Sequence, residues 1–157
     1  MAKNTIYAGD IAKSCLPVQQ EAKQATGAAI KPGMLVVRSS GEFIKHGVSG
    51  QGGDYFIAKE NSLAQEGVTV TYADGATVFA FQPEPQKLFN MSIAATQNIT
   101  AVGTPLTSDG AGNLRIALTT GAEEVLFYAD EVVNVTTAGT LVRCRVATAG
   151  RSGIGAS

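Results

Sequence analysis

His46 is the only histidine of the chain and sits in Phe43-Ile-Lys-His46-Gly, where an apolar run enters a glycine-rich stretch. An imidazole can move protons near neutral pH, but it needs a nucleophile to activate or a group to orient it. The neighbouring sequence supplies neither, so a structural or surface role is expected. The two cysteines, Cys15 and Cys144, stand at a spacing that fits no metal or redox motif. Two distant thiols and one imidazole do not make a four-ligand zinc site. Both cysteines are expected as reduced thiols, and no metal or cofactor is expected.

Gly47-Val-Ser-Gly-Gln-Gly-Gly-Asp54 superficially resembles a phosphate loop. It lacks the following helix and the Lys-Ser/Thr or G-x-G-x-x-G spacing that such a loop requires, so it reads as a flexible hairpin loop. Asp109-Gly-Ala-Gly-Asn113 lacks the repeated carboxylates and final glutamate of a calcium loop and reads as a turn. Glu123-Glu124 and Asp130-Glu131 flank an apolar run. Glycosidase carboxylates must face each other across a cleft, whereas adjacent strand residues point to opposite faces; solvated strand edges are the expectation. Arg143 and Arg145 share a face and suit either acidic groups on a neighbouring subunit or plain solvation of an edge strand. No catalytic constellation emerges, and the chain is not expected to be an enzyme.

The elements that must carry these residues follow from composition and punctuation. With 157 residues and 45 % hydrophobic content, one domain can close a modest core without disulfides or metal. Twelve basic residues against thirteen acidic provide no long-range attraction for a polyphosphate, so nucleic acid is not an expected partner. No stretch approaches the roughly 20 apolar residues of a membrane span, and Met1 to Thr5 lack a signal-peptide core. A soluble chain made in the cytoplasm is expected, and the sequons at Asn90, Asn98 and Asn134 are read as chance matches.

Residues 1–29 hold few large apolar side chains, and Val18 to Gly27 are polar on nearly every face. They are expected to form an extended or partly helical N-terminal arm without a core of its own. Residues 30–148 read as an all-β body, a small barrel or sandwich of short antiparallel strands. Residues 149–157 read as a flexible Gly/Ser-rich tail. Strands are predicted at 34–38, 42–45, 55–59, 87–94, 114–118, 125–129, 132–136 and 140–147. In the last, Val142, Cys144 and Val146 alternate with the arginines, which places the thiol in the core. Leu114, Ile116 and Leu118 should share one face. Val68-Thr-Val-Thr-Tyr72, Asp74-Gly75 and Ala76 to Phe81 read as a hairpin with a tight turn.

Several segments together resemble the decoration, or cement, proteins on the heads of tailed double-stranded DNA bacteriophages. They are Ala29 to Val36, Tyr55 to Asn61, Gly67 to Phe79, Gly103 to Asn113 and Gly139 to Val146. The resemblance implies a β-rich virion protein on the outer capsid surface, made in the host bacterial cytoplasm. It would bind the major capsid protein and its own copies as a dimer or trimer, holding capsomers against the pressure of packaged DNA. It implies no catalytic residues. Extended at roughly 3.3 Å per residue, an arm of this length would span on the order of 90 Å, with Ile6, Tyr7, Ile11, Leu16 and Val18 as apolar anchors on the shell or a sister subunit. Other phage parts, a tail, baseplate or head-fibre component, are turn-rich β proteins too. A carbohydrate-binding module is a further alternative, disfavoured by the absence of Trp and an aromatic content of 6 %.

Overall fold

The computed structural model describes residues 3, 5–10, 18–147 and 153–154, and over these it is all-β, as the punctuation predicts. The strands are β1 (Tyr7–Asp10), β2 (Gln19–Lys23), β3 (Leu35–Ser39), β4 (Glu42–Lys45) and β5 (Phe56–Ala58). After a 3₁₀ turn at Ser62–Ala64 come β6 (Thr77–Phe81), β7 (Lys87–Ile93), β8 (Gln97–Ile99), β9 (Pro105–Ser108) and β10 (Leu114–Ile116). The chain continues with β11 (Glu123–Glu124), β12 (Phe127–Ala129), β13 (Val133–Val135), β14 (Thr140–Val146) and β15 (Gly153–Ile154). No α-helix occurs among the described residues.

Strands β7, β10, β9, β12 and β14 form a ring, because β14 pairs with β7 as well as with β12. Only the β10–β7 contact is parallel. Inside this barrel lie Phe89, Met91, Leu106, Leu114, Phe127, Val142 and Cys144, all essentially without solvent contact. Cys144 faces inward because the period of two along β14 demands it. Burial raises the pKa of its thiol, holding it protonated and unreactive. The second sheet runs β2-β6-β5-β3-β4. It curls until Gln24 bridges Phe43 and the Ala25 N–H donates to the Phe43 carbonyl at 3.1 Å. Its interior is a separate cluster that includes Ile30, Val36, Phe43, Phe56, Tyr72 and Val78.

The two cores share a wall. In β5, Phe56 and Ala58 enter the second core while Ile57 enters the first. Leu35 and Val36 divide in the same way, as do Ala80 and Phe81. Alternation along a strand makes this possible, and burial on both faces turns the sequence pattern into a continuous apolar run.

Three expectations are corrected. Residues 18–29 do not stand apart: β2 pairs along its length with β6. The polar side chain that hid this is Gln24, which is buried. Its amide donates to the Tyr72 carbonyl and to Asp74 Oδ1 and accepts from the Ile30 N–H, so burial leaves it satisfied. Likewise β1 pairs with β7, and Ile6 is fully buried in the first core with Tyr7 packed beside it.

Val68 to Tyr72 form no strand, although the Asp74-Gly75 turn forms as expected, with Ala76 N–H donating to the Ala73 carbonyl. Both edges of β6 are taken, one by β2 and the other by β5, which leaves the segment no ladder to join. Tyr72 is instead drawn into the second core, its hydroxyl donating to the Lys59 carbonyl at 2.7 Å. Its burial pushes the phenol pKa up to about 12. Finally, Leu118 is exposed, because β10 ends at Ile116. Of the tail expected at 149–157, only Gly153–Ile154 lie among the described residues, and they pair with β11.

Gly33 lies where the backbones of the two barrels meet. Its N–H donates to the Ala58 carbonyl and its carbonyl accepts from the Ser92 N–H. Its φ is +84°, and a Cβ would approach Asn90 O to 3.0 Å and the Leu141 side chain more closely still. Strained φ and overpacking act together, so Gly33→Ala should cost about 2 to 4 kcal/mol. Urea denaturation checks this; a loss within error of zero would contradict the seam.

Candidate functional site

The residues singled out for chemistry converge on the seam between the barrels. His46 follows β4, and its backbone is fixed there: its N–H donates to the Leu35 carbonyl and its carbonyl accepts from Gly112 N–H. The imidazole is 3 % exposed. Nε2 lies 2.7 Å from the Gly52 carbonyl and Nδ1 lies 2.8 Å from Ser108 Oγ. A carbonyl only accepts, so Nε2 carries a proton, and in the neutral ring Nδ1 accepts from the serine hydroxyl. Ser108 Oγ accepts in turn from the Gly110 N–H.

A serine hydroxyl on an imidazole held by a third group has the connectivity of a nucleophile and its base. Sequence reasoning missed Ser108, which lies 62 positions away; only the pairing of loop and barrel brings it in. Both side chains are closed off from solvent, so the arrangement acts as a strut joining the loop after β4 to the end of β9.

Loop 47–54, expected to be flexible, is tied down. Gly50 N–H donates to the Ser108 carbonyl, and its carbonyl accepts from Glu124 N–H. Gly52 N–H donates to Glu124 Oε2 at 2.8 Å. At Gly52 a Cβ would meet Leu126 and the Glu124 carboxylate, which explains the glycine without any phosphate.

The carboxylates expected at solvated edges are engaged within the chain. Glu123 takes a two-pronged contact from Arg115 at 3.1 and 2.5 Å and also accepts from Leu118 N–H. Asp130 pairs with Arg143 Nε at 2.7 Å. Glu131 accepts from the Arg143 N–H and pairs with Lys3 at 2.8 Å. Asp109 folds its carboxylate onto the N–H groups of Ala111 and Asn113 and the Asn113 amide, a turn anchor as expected. Among the described residues no group of three or more His, Cys, Asp or Glu side chains is placed to hold a metal ion.

The predicted contact residues are dispersed. Ile6 is buried, Tyr7 packs on the first core, and Val18 is exposed. Ile11, Leu16 and Cys15 lie outside the described residues. Arg143 is engaged by Asp130 of its own chain, and Arg145 lies over the Tyr128 ring, 5.7 Å from its centroid. The arginines share a face as expected, but β12 alongside β14 already supplies neighbours for both. One open groove of about 480 Å³ lies elsewhere, between Leu63, Phe79 and Glu21, and Glu21 is the sole ionisable side chain lining it. No protein-family model matches the chain, and no curated protein matches it.

Two outcomes test this account. His46→Ala strands the Gly52 carbonyl and opens a void, so it should cost about 3 kcal/mol and speed proteolysis within 47–54. An unchanged urea midpoint would contradict the strut. For Glu123, hydrogen bonding from Arg115 lowers the pKa below its ordinary value of 4.5. A lowered folded-state pKa gives stability that is present above the unfolded value and is lost as pH falls through the folded one. Glu123→Gln should therefore be less stable than the parent at pH 7, with the gap closing below pH 4.5. A gap unchanged in acid would show that the ion pair contributes nothing.

Proposed function

We propose that this chain is a structural virion protein that binds the outer surface of a tailed-phage capsid and stabilises the shell by bridging neighbouring major capsid protein subunits. The observation that carries the reading is the use of its reactive side chains. His46, Ser108, Glu123, Glu124, Asp130 and Arg143 are bonded within the chain as cross-ties between strands and loops. A closed ring with such ties resists deformation, since opening it requires breaking a ladder such as the six-pair β7–β14 register. The sequence resemblance and the near-neutral charge support the same role.

With Ile6 and Tyr7 drawn into the core, other apolar groups are available to the shell. Val102 and Val132, each 62 % exposed, lie just beyond the Ile99–Val133 end of the β8–β13 ribbon.

Mixing the protein with expanded and unexpanded undecorated capsids tests the reading by co-sedimentation and by the temperature of shell disruption. Binding to expanded shells with a raised disruption temperature is expected, weakened by Val132→Asp. No binding to either shell would overturn it.

A further inference from the structure

We propose that the open groove on the second sheet docks an extended segment of another protein, one that offers a large apolar side chain with a lysine or arginine two positions away. Three elements build the groove. Val78 and Ala80 of β6 point into the second core, so Thr77, Phe79 and Phe81 point out of it. Phe81 is covered by the first core, whereas Phe79 stays half-buried and floors the groove. Glu21 of β2 stands directly opposite Phe79. The far wall is the 3₁₀ turn, which contributes Asn61, Leu63 and Ala64.

That turn is pinned. Asn61 Oδ1 accepts from the Ala64 N–H, the Asn61 amide donates to Glu66 Oε2, and the Gln65 N–H donates to the Ser62 carbonyl. Leu63 is thereby held 81 % exposed, bordering a space of about 480 Å³ shared with Phe79 and Glu21. A groove open along its length suits a chain passing over it, whereas a small ligand needs enclosure.

The chemistry of the occupant follows from charge. The Glu21 carboxylate forms no ion pair among the described residues. Arg38 bonds to the backbone carbonyl of Glu21, and Lys59 is taken by Gln19 Oε1 and lies over the Phe81 ring. Lys23 stands opposite Thr77 and does not line the groove. Phe79 and Glu21, as cross-strand neighbours, have Cβ atoms about 5 Å apart. Residues i and i+2 of an extended chain lie on one side, roughly 6.6 Å apart. An apolar side chain seated between Leu63 and Phe79 therefore brings its second neighbour to Glu21, where a cation is matched and a carboxylate is repelled. A second copy does not fit this description. None of the exposed large apolar side chains of this chain has a lysine or arginine within two positions.

The test is selection of a random heptapeptide library on the immobilised full chain, followed by Kd measurement on the enriched peptides by fluorescence anisotropy. Enrichment of an apolar residue two positions from Lys or Arg is expected. Leu63→Asp should raise the Kd of those peptides at least about tenfold. Glu21→Lys should reverse the preference, favouring peptides remade with Glu in place of the base. Both residues are exposed, and circular dichroism on each variant verifies the fold. The selection uses no capsid, so its outcome is separate from that of shell binding. Failure to enrich any peptide, peptides without this spacing, or peptides bound equally well by Leu63→Asp would overturn the proposal. So would a dimer of the parent, seen by light scattering, that Leu63→Asp abolishes.

Discussion

Two hydrophobic cores in this chain are separated by the thickness of a single strand. At Phe56-Ile57-Ala58 each residue is buried, and both backbone edges are bonded, one to β3 and the other to β6. Such a strand admits no polar side chain and no proline, because neither face meets water and neither edge is free. The ordering of both barrels follows from it. Leu35 and Val36 must divide between the cores in step with Ile57 and Phe56, and the chain on either side must approach closely enough for Gly33 to reach Ser92 and for Leu35 N–H to reach the Gly112 carbonyl.

A wall shared by two cores leaves gaps at its margins, where loops pass from one barrel to the other, and there the chain uses polar groups. Gln24 closes the second barrel, and His46 with Glu124 holds the glycine-rich loop against the first. Each has its hydrogen-bonding groups met by backbone or a neighbouring side chain, which is what makes burial of polar groups tolerable. The same groups that could have performed chemistry in an open cleft are consumed in holding the loops. A mechanical role is consistent with that use.

The candidate residues were legible as types but not as partners. His46 stood out for being single, and a structural role could be argued from the poverty of its neighbours. Its bond to Ser108 could not, because nothing local marks one serine among many. Glu123 and Glu124 read as surface charges because adjacent strand residues point apart. They do point apart, yet Arg115 waits on one side and the loop at Gly52 on the other.

Period-two alternation and turn residues were enough to determine the all-β class, the inward thiol of Cys144, the strand at Glu42–Lys45 and the turn at Asp74-Gly75, because each depends on contacts within a few residues. Tertiary structure alone decided that the polar stretch after Val18 is a strand, that Val68 to Tyr72 is not, and that Ile6 belongs to the core. Those outcomes depend on which strand edges remain open once the others have paired, and on which distant carbonyls meet a buried amide. That information lies in the closed sheet and not in any local window of sequence.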